Sequence, residues 1–160
     1  MLRKLKRSGL RWIWIALVVI SIDRVTKELA QHYLTPYIPN PIFPGVNLTL
    51  AFNKGAAFSF LDHAAGWQAI LFGSLAIAIT AGLLVWLSRL SYKQRWVPIA
   101  IVFIIGGALG NLWDRLLYGH VIDFIDLYVN TWHWPVFNVA DSMICIGAFM
   151  LIFDSIKSKK

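Results

Sequence analysis

Asp141 lies four residues inside the apolar run FNVADSMICIGAFMLIF, Phe137 to Phe153. A carboxylate at the edge of hydrocarbon is costly, and an ionisable residue in such a place is a functional candidate by default. Two further aspartates, Asp123 and Asp126, stand in GHVIDFIDLYVN, just after another apolar run. Two aspartates that share one proton can work as a pair, one deprotonating a water while the other donates to a carbonyl oxygen. Like charges that close do not both ionise, so such a pair titrates as a unit. Hydrolysis of this kind needs no cofactor. Other chemistries find less support. The His-Glu-x-x-His helix of a metallopeptidase is absent, and although His120 and Asp123 are three apart, His133 is distant and no further metal ligand set stands out. Lys54 and Ser59 would make a Ser–Lys dyad, with nothing around them to mark a nucleophile. Glycine loops that would cradle phosphate lack their lysine.

Each polar residue also has a purely structural reading. Asn138 and Asp141 have the spacing of a helix N-cap and its N3 partner, and an acid there suits the helix dipole. Asp114 and Arg115 could form a boundary pair, Asp23 and Lys27 could neutralise each other at i and i+4, and GGALG could be a close helix-packing face. The i, i+3 spacing of Asp123 and Asp126 predicts that both lie on one face of a short helix resting against the membrane. Asp126 fits a solvated loop at least as well as a catalytic role; Asp123, between apolar neighbours, does not.

The elements that must position these residues are membrane helices. Of 160 residues, 58% are hydrophobic and only 14% charged, well under the quarter usual in soluble domains; the mean hydropathy is +0.63. With about 20 residues needed per crossing, the runs predict four spans, at 11–30, 67–87, 96–116 and 136–155. The first resembles a secretory signal peptide, but DRVTKELAQ follows it with no small-x-small cleavage site, so it is read as an uncleaved helix. Net charge is +7, and eleven of the fifteen basic residues fall before the first run, between the second and third, and at the end. By the positive-inside rule the N-terminus, loop 88–95 and C-terminus are cytoplasmic, and segments 31–66 and 117–135 lie outside. Trp67, Trp86, Trp96, Trp132 and Trp134 fall near span ends, as aromatic belts do. No aromatic-interleaved basic patch suits nucleic acid. Cys145, the one cysteine, sits in an apolar run and is expected to pack there. In segment 31–66, prolines and a glycine mark turns and VNLTLAF alternates like a strand. The predicted fold class is therefore an all-α membrane protein: a four-helix transmembrane bundle with a small extracytoplasmic β element and a short extracytoplasmic helix.

At about 1.5 Å per residue, Asp23 lies about 16 Å along the first span, Asn111 to Arg115 about 22–29 Å along the third, and Asp141 about 7 Å below the outer end of the fourth. Three helices thus bring their polar groups to the outer leaflet, and the inner leaflet has almost none.

These residues resemble the lipoprotein signal peptidases, the bacterial type II signal peptidases. The resemblance rests on DRVTK at 23–27, NKGAAFS at 53–59, GGALGNLWDR at 106–115, VIDFID at 121–126 and FNVADS at 137–142, in that order across nearly the whole chain. It implies an aspartyl endopeptidase of the bacterial inner membrane, with its active site near the outer face. The substrate would be a prolipoprotein whose cysteine carries a diacylglyceryl group, cut just before that cysteine. The catalytic dyad maps onto Asp123 and Asp141. Asn53, Gly55, Asn111, Arg115, Asn138 and Ala140 match positions around the dyad and substrate, and Asp23, Lys27 and Asp114 match a supporting network. Neither metal nor other cofactor is implied. Implied partners are prolipoproteins, membrane lipids and globomycin-type cyclic peptides that occupy the dyad; one complete site per chain points to a monomer. The sequence further suggests that the outer β element and segment 118–135 form a lid over the cleft, that Arg115 holds a carbonyl or pairs with Asp114, and that Asp123 holds the shared proton more often than Asp141. A small ion-coupled transporter would need polar residues in both leaflets, and a scaffold protein would tolerate amides at 123 and 141.

Overall fold

The structure, a computed structural model, describes residues 8–55 and 67–157. The described residues form four long helices: α1, Trp14–Tyr33; α2, Trp67–Arg89; α3, Trp96–Tyr118; and α4, Val139–Lys157. Among the described residues, three helical stretches are long and apolar enough to cross a membrane, Ile70–Arg89, Trp96–Tyr118 and Val139–Lys157. By contrast α1 carries Asp23, Arg24, Lys27 and Glu28 on two turns. Its polar stripe is turned inward: Asp23 and Lys27 are fully buried, while Leu17, Val25 and Leu29 face out. A 3-10 turn, Gly9–Trp12, precedes α1 and is held to the end of α2 by Gly9 N donating to Leu90 O at 2.9 Å.

The central helix is α3, 61% of whose span is buried, against 17% for the α2 stretch and 11% for α4. Its GGALG segment makes close approach possible. A β-carbon on Gly106 would stand 2.8 Å from Val19 of α1, one on Gly110 would stand 2.7 Å from the Asp23 carboxylate, and one on Gly107 would collide with the Ala140 carbonyl of α4. The close-packing reading of this segment is therefore right, and the contact it makes closest is with site residues. Towards one end Ala16, Leu87, Ile101, Val102 and Ile105 form an apolar core; at the other, Ala30, Leu50, Ile122 and Phe124 join helix to sheet.

That sheet has four antiparallel strands in the order β1, Asn40–Phe43; β2, Val46–Asn53; β3, Val121–Val129; and β4, Trp132–His133. The short helix expected for segment 117–135 is not formed. Gly119 ends α3 in the left-handed conformation, φ 74°, with its N–H on the Arg115 carbonyl, and β-branched and aromatic residues then favour extended chain. Side chains alternate along a strand, so Asp123 and Asp126 project from opposite faces and not from one. The β2 and β3 strands are joined directly, Leu48 opposite Ile125 and Ala51 opposite Asp123. The two halves of the expected lid are thus one sheet, and Ile125 bonds in both directions with Phe137, just ahead of α4. Cys145 also departs from expectation: it is exposed on the outward face of α4 instead of packed in the bundle.

Candidate active site

The polar residues of α1, α3, α4 and β3 meet at the sheet end of the bundle. Asn138 is the N-cap of α4. Its Oδ1 accepts from Asp141 N at 2.9 Å, and Asp141 Oδ2 accepts from Asn138 N at 3.3 Å. This is the reciprocal capping arrangement expected of the pair, with Asp141 in the first helical turn. The same Asn138 donates Nδ2 to Asp123 Oδ1 at 2.7 Å, with Asn111 Oδ1 at 3.1 Å and Ile122 O at 3.2 Å sharing the amide group. Asn138 thus holds both candidate catalytic carboxylates. Its side chain is wholly buried, Asp123 is 2% exposed, and Asp141 is half-buried, so the pair opens on the Asp141 side. From β2, Asn53 donates to Asp123 Oδ2 at 3.0 Å, and its own Oδ1 accepts from Gly55 N at 2.8 Å. Gly55 has φ 100°, a conformation that glycine adopts without penalty. Ala56 to Ser59, the rest of that motif and the Ser of the alternative dyad, lie outside the described residues.

Behind the pair stands an ion cluster with no solvent exposure at Asp23, Lys27 or Asp114. Lys27 Nζ forms ion pairs with Asp23 Oδ2 at 2.7 Å and Asp114 Oδ2 at 2.8 Å, and donates a hydrogen bond to Asn111 Oδ1 at 2.9 Å. Because Lys27 needs an acceptor, it fixes the Asn111 amide with Oδ1 towards itself. Asn111 Nδ2 then faces the dyad and donates to Asp141 Oδ1 at 2.7 Å. Asp23 Oδ1 accepts from Ala140 N at 2.9 Å, so Ala140 belongs to the site through its backbone. The expected Asp114–Arg115 pairing is replaced: Asp114 Oδ1 takes Arg24 Nη1 at 2.7 Å, and Asp114 Oδ2 takes Lys27 and Ile122 N, the latter at 3.2 Å. Arg115 lies with its guanidinium 5.5 Å from the Phe72 ring centre, and Nη1 reaches Asn111 O at 3.4 Å.

Burial pushes the Asp123 carboxyl up to about 7; the Asp141 charge adds to this, and hydrogen bonds from Asn53 and Asn138 oppose it. A group so placed holds a proton up to near neutrality. Asp126 behaves in the opposite way. Burial would raise it, but hydrogen bonds from His133, Asn47 and Thr49 outweigh burial and hold it below the ordinary carboxylate value. These bonds, at 2.8, 3.2 and 2.9 Å, lie on the far face of the sheet, the first tying β4 to β3 and the other two tying β2 to β3. His120 packs its ring 4.8 Å from Phe52. Among the described residues no three His, Cys, Asp or Glu side chains converge as metal ligands.

The family model described as signal peptidase (SPase) II matches residues 15–157. The chain belongs to the signal peptidase II family. It is 50% identical to the lipoprotein signal peptidase of Pseudoalteromonas atlantica over 99% of this chain and 97% of that one. It is likewise 50% identical to that of Photorhabdus laumondii over 94% of this chain and 90% of that one. Among solved structures it is similar to a bacterial membrane enzyme determined by the in meso method at 2.3 Å, with TM-score 0.81 and 31% identity over 92% of this chain and 88% of that one. A second, at 1.9 Å, gives TM-score 0.80 and 32% identity over 91% and 92%. As a member of a signal peptidase family the chain is a protease, and its apolar helices and neighbours make it a membrane protein.

The motifs that carried the family resemblance converge in space. DRVTK supplies Asp23, Arg24 and Lys27 from α1; GGALGNLWDR supplies Asn111, Asp114 and Arg115 from α3; VIDFID supplies Asp123; and FNVADS supplies Asn138, Ala140 and Asp141. Sequence reasoning missed Arg24, although it stands within the first motif, and it missed Asn47 and Thr49 as partners of Asp126. Their alternation with apolar residues in VNLTL was the available signal.

Proposed function

We propose that this signal peptidase II removes the signal peptide from diacylglyceryl-modified prolipoproteins, cutting just before the modified cysteine, with Asp123 and Asp141 as the catalytic pair. The observation that carries the reading is the bridge through Asn138, which holds a buried, proton-retaining carboxyl and a half-open carboxylate in one hydrogen-bonded unit. Asp141 takes a proton from water, and the oxygen attacks the scissile carbonyl carbon as Asp123 gives its proton to the carbonyl oxygen. The tetrahedral diol then collapses: Asp123 recovers a proton from the diol, the C–N bond breaks, and the proton on Asp141 passes to the departing amine of the cysteine. Asn111 and Arg115 are assigned to hold peptide groups of the substrate, and Asn53, with Gly55 on its side chain, borders Asp123. All four helices cross the bacterial inner membrane, with the N-terminus, loop 88–95 and C-terminus in the cytoplasm. The sheet end then faces outward, where a substrate anchored by its own helix and acyl chains presents its scissile bond. A monomer suffices, and globomycin-type cyclic peptides would compete at the dyad.

Cleavage of a diacylglyceryl-modified lipobox peptide by purified protein in detergent tests this. Asp123→Asn and Asp141→Asn are expected to fold and lose cleavage, Asp126→Asn to retain it, and EDTA to have no effect. Near-normal activity in either of the first two variants would sink the dyad assignment. A wild-type protein that cuts nothing would bring a transport or scaffold role forward.

A further inference from the structure

We propose that Arg24 is a positioning residue for the aspartate pair, acting through Asp114; this rests on the two-aspartate peptidase reading. The buried cluster has two anions, Asp23 and Asp114, and only Lys27 among its fully buried groups is cationic. Arg24 supplies the second positive charge. Its side chain is 14% exposed, and its guanidinium reaches Asp114 Oδ1 at 2.7 Å and Glu28 Oε1 at 3.1 Å and stands 5.7 Å from the Tyr118 ring centre. Because Arg24 takes one oxygen of Asp114, the other is left for Lys27 and for Ile122 N, the residue beside Asp123. Lys27, ion-paired with Asp23 and Asp114, donates its hydrogen bond to Asn111, whose amide holds Asp141. One guanidinium thereby reaches both carboxylates: through Ile122 it sets where β3 starts, and through Lys27 it sets the Asn111 amide.

Replacing Arg24 by a neutral residue leaves a buried oxygen without its charged donor, which is costly, and leaves the four-group cluster with one excess negative charge. Lys27 is then drawn towards Asp114, and Asn111 loses its anchor. The charged and titratable groups around the dyad are Asp23, Arg24, Lys27 and Glu28 from α1, Asp114, Arg115 and Tyr118 from α3, Asp123 from β3 and Asp141 from α4. Excess negative charge among them favours the protonated form of Asp123.

The test is lipobox-peptide cleavage with a full pH profile. Arg24→Gln is expected to lower kcat about tenfold or more, to leave KM within about twofold, and to move the alkaline limb upward. Arg24→Lys restores most of kcat. Glu28→Gln, which removes only the exposed partner, stays within about twofold of wild type. In an Asp114→Asn background Arg24→Gln costs little more, because the two residues act as one unit. Unchanged kcat and limb in Arg24→Gln, or fully additive effects at 24 and 114, would overturn the proposal. Should Arg24→Gln not fold alone, the double variant restores neutrality, and a double variant inactive where Asp114→Asn works is equally fatal. If the wild-type protein cuts no peptide, the peptidase reading itself fails, whereas infrared titration of the Asp123 carboxyl still shows whether Arg24 acts on it.

Discussion

Asn138 and Asp141 exchange two hydrogen bonds at the first turn of α4, side chain to backbone in each direction, at 2.9 and 3.3 Å. The same asparagine reaches across to Asp123. A serine at 138 keeps the cap, because its oxygen can accept from the first-turn amides. It loses the amide that Asp123, Asn111 and Ile122 share. Asn138→Ser is therefore expected to keep the helix and lose about 1–3 kcal/mol of stability from unsatisfied buried groups. Its kcat falls about a hundredfold, a far larger loss than the cap accounts for. Wild-type kcat in a folded Asn138→Ser protein would show that the bridge has no catalytic part.

If Asp123 is the proton donor of the proposed mechanism, its proton sets an alkaline limit. Its folded value is raised from 3.8 to about 7, so activity that needs this proton falls as pH rises through about 7. The linkage has a definite sign: between about 4 and 7 the folded chain keeps a proton that the unfolded chain releases, so stability also declines as pH rises through that window. Removing the Asp141 charge takes away one cause of the rise. In Asp141→Asn the Asp123 carboxyl should titrate at lower pH, read by infrared spectroscopy on protein labelled at aspartate. A value unmoved by that substitution would separate the two groups electrostatically.

Gly110 is predicted to be intolerant for a reason specific to the site. A β-carbon there would stand 2.7 Å from Asp23 Oδ2 and 3.4 Å from Ala140 Cβ. Gly110→Ala should push α1 or α4 away from α3, strain the Asp23 bonds to Lys27 and Ala140, and lower kcat at least tenfold. Gly82, whose β-carbon would meet nothing within 4 Å, is the control, and Gly82→Ala should be silent. Equal behaviour of the two variants in the cleavage assay would refute this.

The helices were legible because hydrocarbon demands long apolar runs, and the candidate site was legible because nearly every expensive residue in three of them falls at one end. Asp123 is singled out by its apolar neighbours, but it lies in a strand and not in the helix expected for it. The i, i+3 spacing of Asp123 and Asp126 fits a helix face, whereas the β-branched residues around them and the unpaired edge of β2 favour a strand. Pairing with β2 is a long-range contact and leaves no local trace. Arg24 escaped notice for a similar reason: one residue from Asp23, it reads as an ordinary charge at a helix boundary, and its partner Asp114 is ninety positions away.

Asp126 is the last discriminating residue, because the strand turns it away from the chemistry. It accepts from His133, Asn47 and Thr49 and holds β4 onto the sheet. An asparagine at 126 still accepts one or two of these bonds but loses the charge that His133 meets. His133 is 46% exposed on its side chain, so the expected loss is only about 1 kcal/mol. The Asp126 carboxyl lies below its ordinary value, so its contribution is present above the unfolded carboxylate pKa and disappears as pH falls through the folded one. Asp126→Asn should thus retain most of its cleavage at pH 7 and show faster amide exchange at Tyr128 and Trp134. The stability difference from wild type should vanish in acid. Loss of cleavage with unchanged exchange would mean that Asp126 acts in the chemistry after all, and that the face it occupies is the wrong guide.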